Sequence, residues 1–349
     1  SRLAELLTIT ALVGGACAVL ADLGRPDKGL LNLPLYANPR SPFFGTFTLV
    51  VAGYLFSSVV YFILAGRGDA AATARTARHG RWFYRLWASG WTGSHADVDR
   101  HHRVSFWLAL SIMPLLVTAH STLGFIFGIQ SGRPGWYSAL QAPGFVVMAA
   151  VSGTGMLILL TIGVRRLLRL HDRIPDASLG WLGNFMCALS LVYLYFMVVE
   201  ELTATYAAPR ADRHVAHEVV GGHFSTVFWL AAGSLFLAFA ITFVLYLRRR
   251  TSVAAVAIAA AFADVAAVLK RVLIVVPSQT HGVLAPIAPE GHYAPTWVEL
   301  GVVGGMFGVV ALAILGFVRV FPIVPTPHPH AADQPAARDW RRAAAAAAT

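Results

Sequence analysis

The residues able to do chemistry are few, and most lie inside or at the ends of long apolar runs. Asp22-Leu23-Gly24-Arg25-Pro26 closes the first run. An acid and an arginine are costly where a helix leaves hydrocarbon, so they read by default as functional. The competing reading makes them a helix stop and an interfacial anchor. Further along stand His120, the adjacent acids Glu200 and Glu201, Asp264, and Lys270 followed by Arg271, while His223 and Glu299 open two later runs. Asp264 and Arg271 are seven positions apart, close to two helical turns, so they share a face. They could form a relay or pair through an intermediate group. Pairing of satisfied polar side chains between helices is the structural competitor for each of these residues.

Several chemistries do not fit this set. A b-type haem uses histidines that face one another from two spans, and only His120 lies well within one. Metal hydrolysis would call for a motif such as His-Glu-x-x-His, and phosphate chemistry for a Gly-rich loop; neither is in the sequence. Cys17 and Cys187 both fall in apolar runs, which gives no disulfide framework and no cysteine site for zinc or an iron–sulfur cluster. His, Asp, Glu, Tyr and Arg gathered near one membrane face do suit proton-coupled binding of an amphipathic small molecule. A quinone head group needs hydrogen-bond donors, acceptors and a route for its protons. A solute or ion carrier would use similar residues, but at the midplane and beside broken helices.

The elements that position these groups are membrane helices. Hydrophobic residues make up 57% of the 349-residue chain and charged residues 13%, with mean hydropathy +0.63, values that exclude an ordinary soluble domain. Apolar runs about 20 residues long, enough to cross ~30 Å of hydrocarbon, predict eight spans over 3–21, 44–66, 104–129, 144–164, 181–203, 223–247, 253–276 and 297–321. The expected fold is an all-α polytopic bundle over 1–325, followed by a disordered cytoplasmic tail over 326–349. The net charge of +10 does not indicate nucleic acid, because the basic residues fill the gaps between spans. One alternating set of gaps holds 18 Lys and Arg and the other six. The basic set then faces the cytoplasm and the Asp22 turn faces outward from the cytoplasmic membrane. No internal repeat stands out.

Segment 67–103 interleaves arginines with Trp82, Phe83, Tyr84, Trp87 and Trp91, which reads as a helix lying among the lipid headgroups. The alternative is a surface for a cytoplasmic partner. On the outward side, Asn38-Pro39-Arg40-Ser41-Pro42 is a proline-punctuated return into the second span. Segment 277–296 carries four prolines and no Lys or Arg, as lids and docking loops often do.

Asp22-Leu-Gly-Arg-Pro followed by Asn38-Pro-x-Ser-Pro resembles the signature of the NrfD/PsrC family, the membrane subunits of polysulfide-reductase-like complexes. The resemblance extends to the branch that includes the membrane subunits of alternative complex III. It is carried further by Ala119-His120-Ser121, Pro134-Gly135-Trp136-Tyr137-Ser138, Glu200-Glu201-Leu202-Thr203 with Tyr206, and Pro295-Thr296-Trp297-Val298-Glu299. Together these stretches cover most of 3–321. The resemblance implies a quinone-reactive helical subunit without haem or iron–sulfur cluster of its own. Its partners would be an external iron–sulfur protein, other membrane subunits and the lipid bilayer. Asp22, Arg25 and, in the same gap between spans, Arg40 would belong to the quinone pocket, while His120, Glu200, Glu201, Asp264 and Arg271 would be proton-path residues. That branch has ten spans, with a histidine-bearing helix before the Asp-Leu-Gly-Arg turn that helps form its quinone site. The expectation is that such helices lie earlier in a longer chain, or come from another chain, or that this member lacks that site, which would undercut a quinone function.

The function expected is therefore that of a quinol-interacting subunit of a respiratory oxidoreductase, not catalytic alone, that exchanges electrons with an external iron–sulfur subunit. Menaquinone or ubiquinone would serve, and proton translocation is compatible. A structural or proton-conducting anchor without quinone chemistry, and a secondary transporter, are the competing functions.

Overall fold

The computed structural model describes residues 2–22, 25–28, 31, 35, 47–77, 80–172, 174–281 and 293–321, with only the backbone at Asp22, Phe47 and Val320. Among them there are helices and loops but no strand. The helices are α1 (Arg2–Asp22), α2 (Phe47–Thr76), α3 (Arg81–Ala88), α4 (His95–Gly128), α5 (Gln141–Leu167), α6 (Asp176–Tyr206), α7 (Arg210–Val220), α8 (Ser225–Leu247), α9 (Val253–Thr280) and α10 (Trp297–Val320). Eight of these are long and apolar enough to cross a membrane. They coincide with the eight spans expected from the sequence. The predicted tail over 326–349 lies outside the described residues.

Helix ends move where local chemistry favours more helix. α2 continues ten residues past the expected boundary through Ala-rich sequence, because alanine carries the least entropic penalty in a helix. α4 starts nine residues before the expected span, where the Ser94 hydroxyl accepts the Asp97 backbone N–H, a standard N-cap. Between them only α3 is a separate helix. It buries Tyr84 and Ala88 and exposes Trp82 and Leu86, the two-faced pattern of a headgroup-level helix. Trp87 anchors it, stacked 4.1 Å from Phe321 and donating its indole N–H to Ile63 O.

The inner group is α5, α6, α8 and α9, which share one apolar core from Met148 and Ile158 through Met186 and Leu235 to Val256. α9 packs against the other three. Its buried face is Ala259, Ala260, Ala263, Ala266 and Ala267, a helical i, i+4, i+7 pattern of small residues. Lipid tails are as apolar as leucine, so close backbone approach through small residues drives packing in a bilayer. α4 packs on α5 through the same device. A Cβ on Gly124 would come within 2.6 Å of Ala142 Cα and 2.7 Å of Gln141 O. Because those are backbone atoms, they cannot swing away. Gly124→Ala is expected to cost about 1–3 kcal/mol through overpacking, read as earlier thermal unfolding in detergent. Gly153→Ala should change little, since nothing lies within 4 Å of a Cβ there.

α1, α2 and α10 form the outer layer, with α2 also against α4. Arg2 fastens the chain start to α2 by an ion pair with Asp69 and a 2.8 Å hydrogen bond to Ala65 O. With Arg2 and Asp69 both buried, each needs the other.

Candidate functional site

At the end of the bundle away from the Arg-rich loops, the α4–α5 turn folds back over its neighbours. Gly135 donates its N–H to Asp212 Oδ1 at 2.7 Å, and the Trp136 indole donates to Ile274 O at 2.6 Å. Gly135 sits at φ +78°, and a Cβ would meet Val215 Cγ1 at 3.1 Å, so glycine is required twice over. The Pro134-Gly135-Trp136 motif thus ties the turn to α7 and α9 and fixes the floor on which α5 begins.

Beneath this floor, three helices bring together a buried polar cluster. Lys270 Nζ of α9 lies 2.7 Å from Glu200 Oε2 of α6. Gln141 of α5 donates to the other Glu200 oxygen at 3.3 Å. The Lys270 side chain is 7% exposed and that of Glu200 24%, so the pair is largely desolvated. Tyr193, buried about two turns below Glu200 on α6, lies within electrostatic range of Lys270, Glu200 and Arg271. Glu201 also senses Lys270 and Glu200. Tyr195 and Tyr206 turn outward, 64% and 87% exposed.

Next to this cluster a cleft of about 440 Å³ opens between α4, α5 and α9. Leu123, Phe127, Phe145, Ile274 and Val275 line it, together with His120 and Arg271. Phe127 stacks on Phe145 at 5.4 Å, and the Arg271 guanidinium carbon sits 3.8 Å from the Phe145 ring centre, within cation–π range. His120 Nδ1 is 2.9 Å from Leu116 O. A carbonyl only accepts, so Nδ1 carries a proton and Nε2 of the neutral ring is left as an acceptor. Such an apolar slot with one fixed cation and one proton acceptor has the size and composition of an organic-ligand site.

Asp264, Arg25 and Glu299 are not among the residues lining this cleft. Asp264 is one helix-face repeat from Arg271, yet its carboxylate sits against Gly155, where a Cβ would come within 2.6 Å of Oδ1. Neither Asp264 oxygen has a hydrogen-bond partner among the described residues. Arg25 is exposed and pairs loosely with Asp27 at 3.8 Å. Arg40 and the Asp22 side chain lie outside the described residues. Glu299 closes a capping box, accepting from Thr296 N at 2.6 Å and from its hydroxyl at 2.9 Å, so its structural role is explained at the helix end. The fold adds Lys270 and Gln141, to which spacing alone gives no role. A lysine inside an apolar span is the signal that marks the first; nothing in the sequence marks the second.

On the same side of the bundle, Glu218 accepts the His223 backbone N–H at 3.0 Å. This bond, with nearby histidines, holds its carboxyl below the usual carboxylate range. A lowered folded-state value means the link is present at neutral pH and lost as pH falls through that lowered value. The His223 amide is expected to keep its hydrogen-exchange protection factor down to mildly acidic pH and lose it below the ordinary carboxylate range. Glu218→Ala should remove that protection at every pH.

Eight membrane-length helices and a polar cluster at one end define an integral membrane protein of all-helical class. The family model described as polysulphide reductase, NrfD matches residues 1–283, and the chain belongs to that family. One relative, from Halobacterium salinarum, is named provisionally as a membrane subunit of dimethyl sulfoxide reductase. It is 30% identical over 93% of this chain and 75% of its own length. Another, named as a selenate reductase subunit in Mesobacillus selenatarsenatis, is 25% identical over 66% of this chain and 55% of its own. Both relatives extend beyond the aligned region. Among the described residues no group of three or more His, Cys, Asp or Glu is arranged to hold a metal ion.

Proposed function

We propose that the chain is the quinone-reactive membrane subunit of a reductase-type complex in the cytoplasmic membrane. It passes electrons between membrane quinol and an external iron–sulfur subunit that docks on the Asp22 side. The observation that carries this reading is the cleft holding His120 and Arg271 between otherwise apolar walls. A quinol fits this lining: Phe127 and Phe145 suit its ring, Arg271 donates to one ring oxygen, and His120 Nε2 accepts from the hydroxyl at the other. Bound there, quinol would supply two electrons to the external iron–sulfur subunit and two protons, one to His120 and the other to the neighbouring carboxylates Glu200 and Glu201. His120 accepts a proton at Nε2 while its Nδ1–H stays hydrogen-bonded to Leu116 O. Arg271, held against Phe145, presents fixed positive charge where an oxygen would gain negative charge. Glu200, Glu201 and Lys270 provide ionisable groups for onward proton movement, and Asp264 is a further relay candidate along α9. The names of the two relatives as reductase subunits support membership of a multisubunit complex. Asp22, Arg25 and Arg40 remain proposed members of a quinone pocket nearer the outer surface.

Photolabelling the assembled complex with a quinone bearing a diazirine on its ring tests the assignment. Adducts are expected on peptides of α4, α5 and α9 that contain His120, Phe145 and Arg271. Adducts on 22–40 instead would move the site to the Asp22 turn. Labelling of neither, with turnover indifferent to quinone, would favour an anchor without quinone chemistry.

A further inference from the structure

The Arg-rich end of the bundle holds a second cavity, of about 280 Å³, that the proposed quinone chemistry does not use. It lies where α6, α8 and α9 meet and is lined by Asn184, Tyr246, Arg249, Arg250, Thr251 and Val256, with Gly180 and Gly183 along its α6 wall. The loop that builds it is short and held in place by backbone hydrogen bonds. Arg249 N donates to Tyr246 O and Arg250 N to Leu245 O, both at 3.1 Å, with Arg249 in the left-handed region at φ 47°. Ser252 then caps α9 by accepting the Ala255 N–H. The two glycines set the space. A Cβ on Gly180 would press on Thr251 Oγ1 at 2.7 Å, and one on Gly183 would meet Val256 at 3.3 Å. Neither Arg249 nor Arg250 forms an ion pair among the described residues.

Two exposed guanidinium groups, a phenol, an amide and a hydroxyl thus converge on one recess at the edge of the apolar bundle. Tyr246 and Leu247 beside it are 59% and 63% exposed, which marks the depth at which a bilayer would pass from acyl chain to headgroup. Arginine pairs with phosphate oxygens through parallel N–H bonds, and basic recesses between membrane helices on the cytoplasmic side hold anionic headgroups. We propose that this cavity binds the phosphate of an anionic phospholipid headgroup, whose acyl chains lie along the exposed faces of α6 and α8. Asn184 and Thr251 add hydrogen bonds that a diffuse basic surface would lack, so the site selects a seated headgroup.

Native mass spectrometry of the intact complex, released from detergent and titrated with phosphatidylglycerol or phosphatidylcholine, tests this. Wild type should carry one phosphatidylglycerol at least ~10-fold more readily than Arg249→Gln/Arg250→Gln. The charge-matched control Arg166→Gln/Arg169→Gln, on the same membrane face but outside the cavity, should bind like wild type. Asn184→Trp, which fills the recess and keeps both arginines, should also lose the bound lipid. Equal binding by wild type and the Arg249/Arg250 variant would overturn the proposal, as would loss of binding in the control pair. Retention by Asn184→Trp would reduce the site to non-selective surface charge and overturn it too. Displacement of the lipid by millimolar inorganic phosphate would assign the cavity to a soluble phosphate and not to a lipid.

Discussion

Lys270→Ala is expected to destabilise the folded protein severely, so that it unfolds well below the wild-type temperature. Glu200 would then keep its carboxylate in a site that is three-quarters removed from solvent, with the 3.3 Å contact from Gln141 its one remaining hydrogen bond among the described residues. Removing one partner of a buried pair costs about 3–5 kcal/mol, chiefly because the other charge is stranded. The 24% exposure of Glu200 places the effect at about 3 kcal/mol, since water screens part of the charge. That is a large fraction of a typical domain's stability of about 5–15 kcal/mol. Size-exclusion chromatography of a fluorescent fusion after graded heating would show the loss.

The same reasoning predicts a rescue. Lys270→Met/Glu200→Gln removes both charges and retains hydrogen-bonding capacity towards Gln141, so thermal stability should return close to wild type. If the single variant is as stable as wild type, the pair does not hold the bundle together. If the double variant is stable but slow in quinol turnover, the pair serves proton movement and not only packing. The two measurements therefore separate a structural ion pair from a working one on the same residues.

What the sequence makes legible is what depends on composition along one helix. Apolar runs long enough to cross hydrocarbon place all eight spans, and the uneven distribution of arginine marks one end of the bundle. The interleaved Trp and Arg of 81–91 foreshadow α3. What depends on the neighbour is not legible. Asp264 and Arg271 share a face by spacing, yet seven residues separate them by about 10 Å along the axis. Each therefore meets a different level of α5, Asp264 at Gly155 and Arg271 at Phe145. Glu200 finds Lys270 and Gln141 from 70 and 59 positions away, contacts that follow only once small residues have set which helices touch. The sequence leads one to expect titratable groups beneath one surface; in the fold Glu200, Lys270 and Tyr193 form one polar cluster and His120 and Arg271 line the cleft beside it. Two chemical situations therefore appear. Glu200 is tied to a counter-charge, while His120 and Arg271 line a cleft.

That distinction makes His120 the residue with the largest expected effect on turnover. His120→Ala removes the Nε2 acceptor and enlarges the cleft at the one wall that can take a proton. Loss of a positioned acid–base group lowers rates by roughly 10²–10⁴-fold, and a fall of about 100-fold in kcat/KM for quinol is expected, because water in an open cleft replaces part of the function. Arg271→Gln should act differently. It leaves proton acceptance intact and removes a fixed charge, so the loss should fall on kcat, at roughly 10-fold or more. Both variants keep the Glu200–Lys270 pair, so assembly of the complex should be unchanged. Activity of the catalytic partner with an artificial donor, which bypasses this chain, should be unchanged as well. Asp22→Asn provides the comparison at the outer turn. A loss confined to Asp22→Asn, with His120→Ala at wild-type rates, would place quinol chemistry at that turn and leave the cleft as a lipid-filled groove. A loss in both, additive on a logarithmic scale, would mean that the two positions act on separate steps, such as entry and proton transfer.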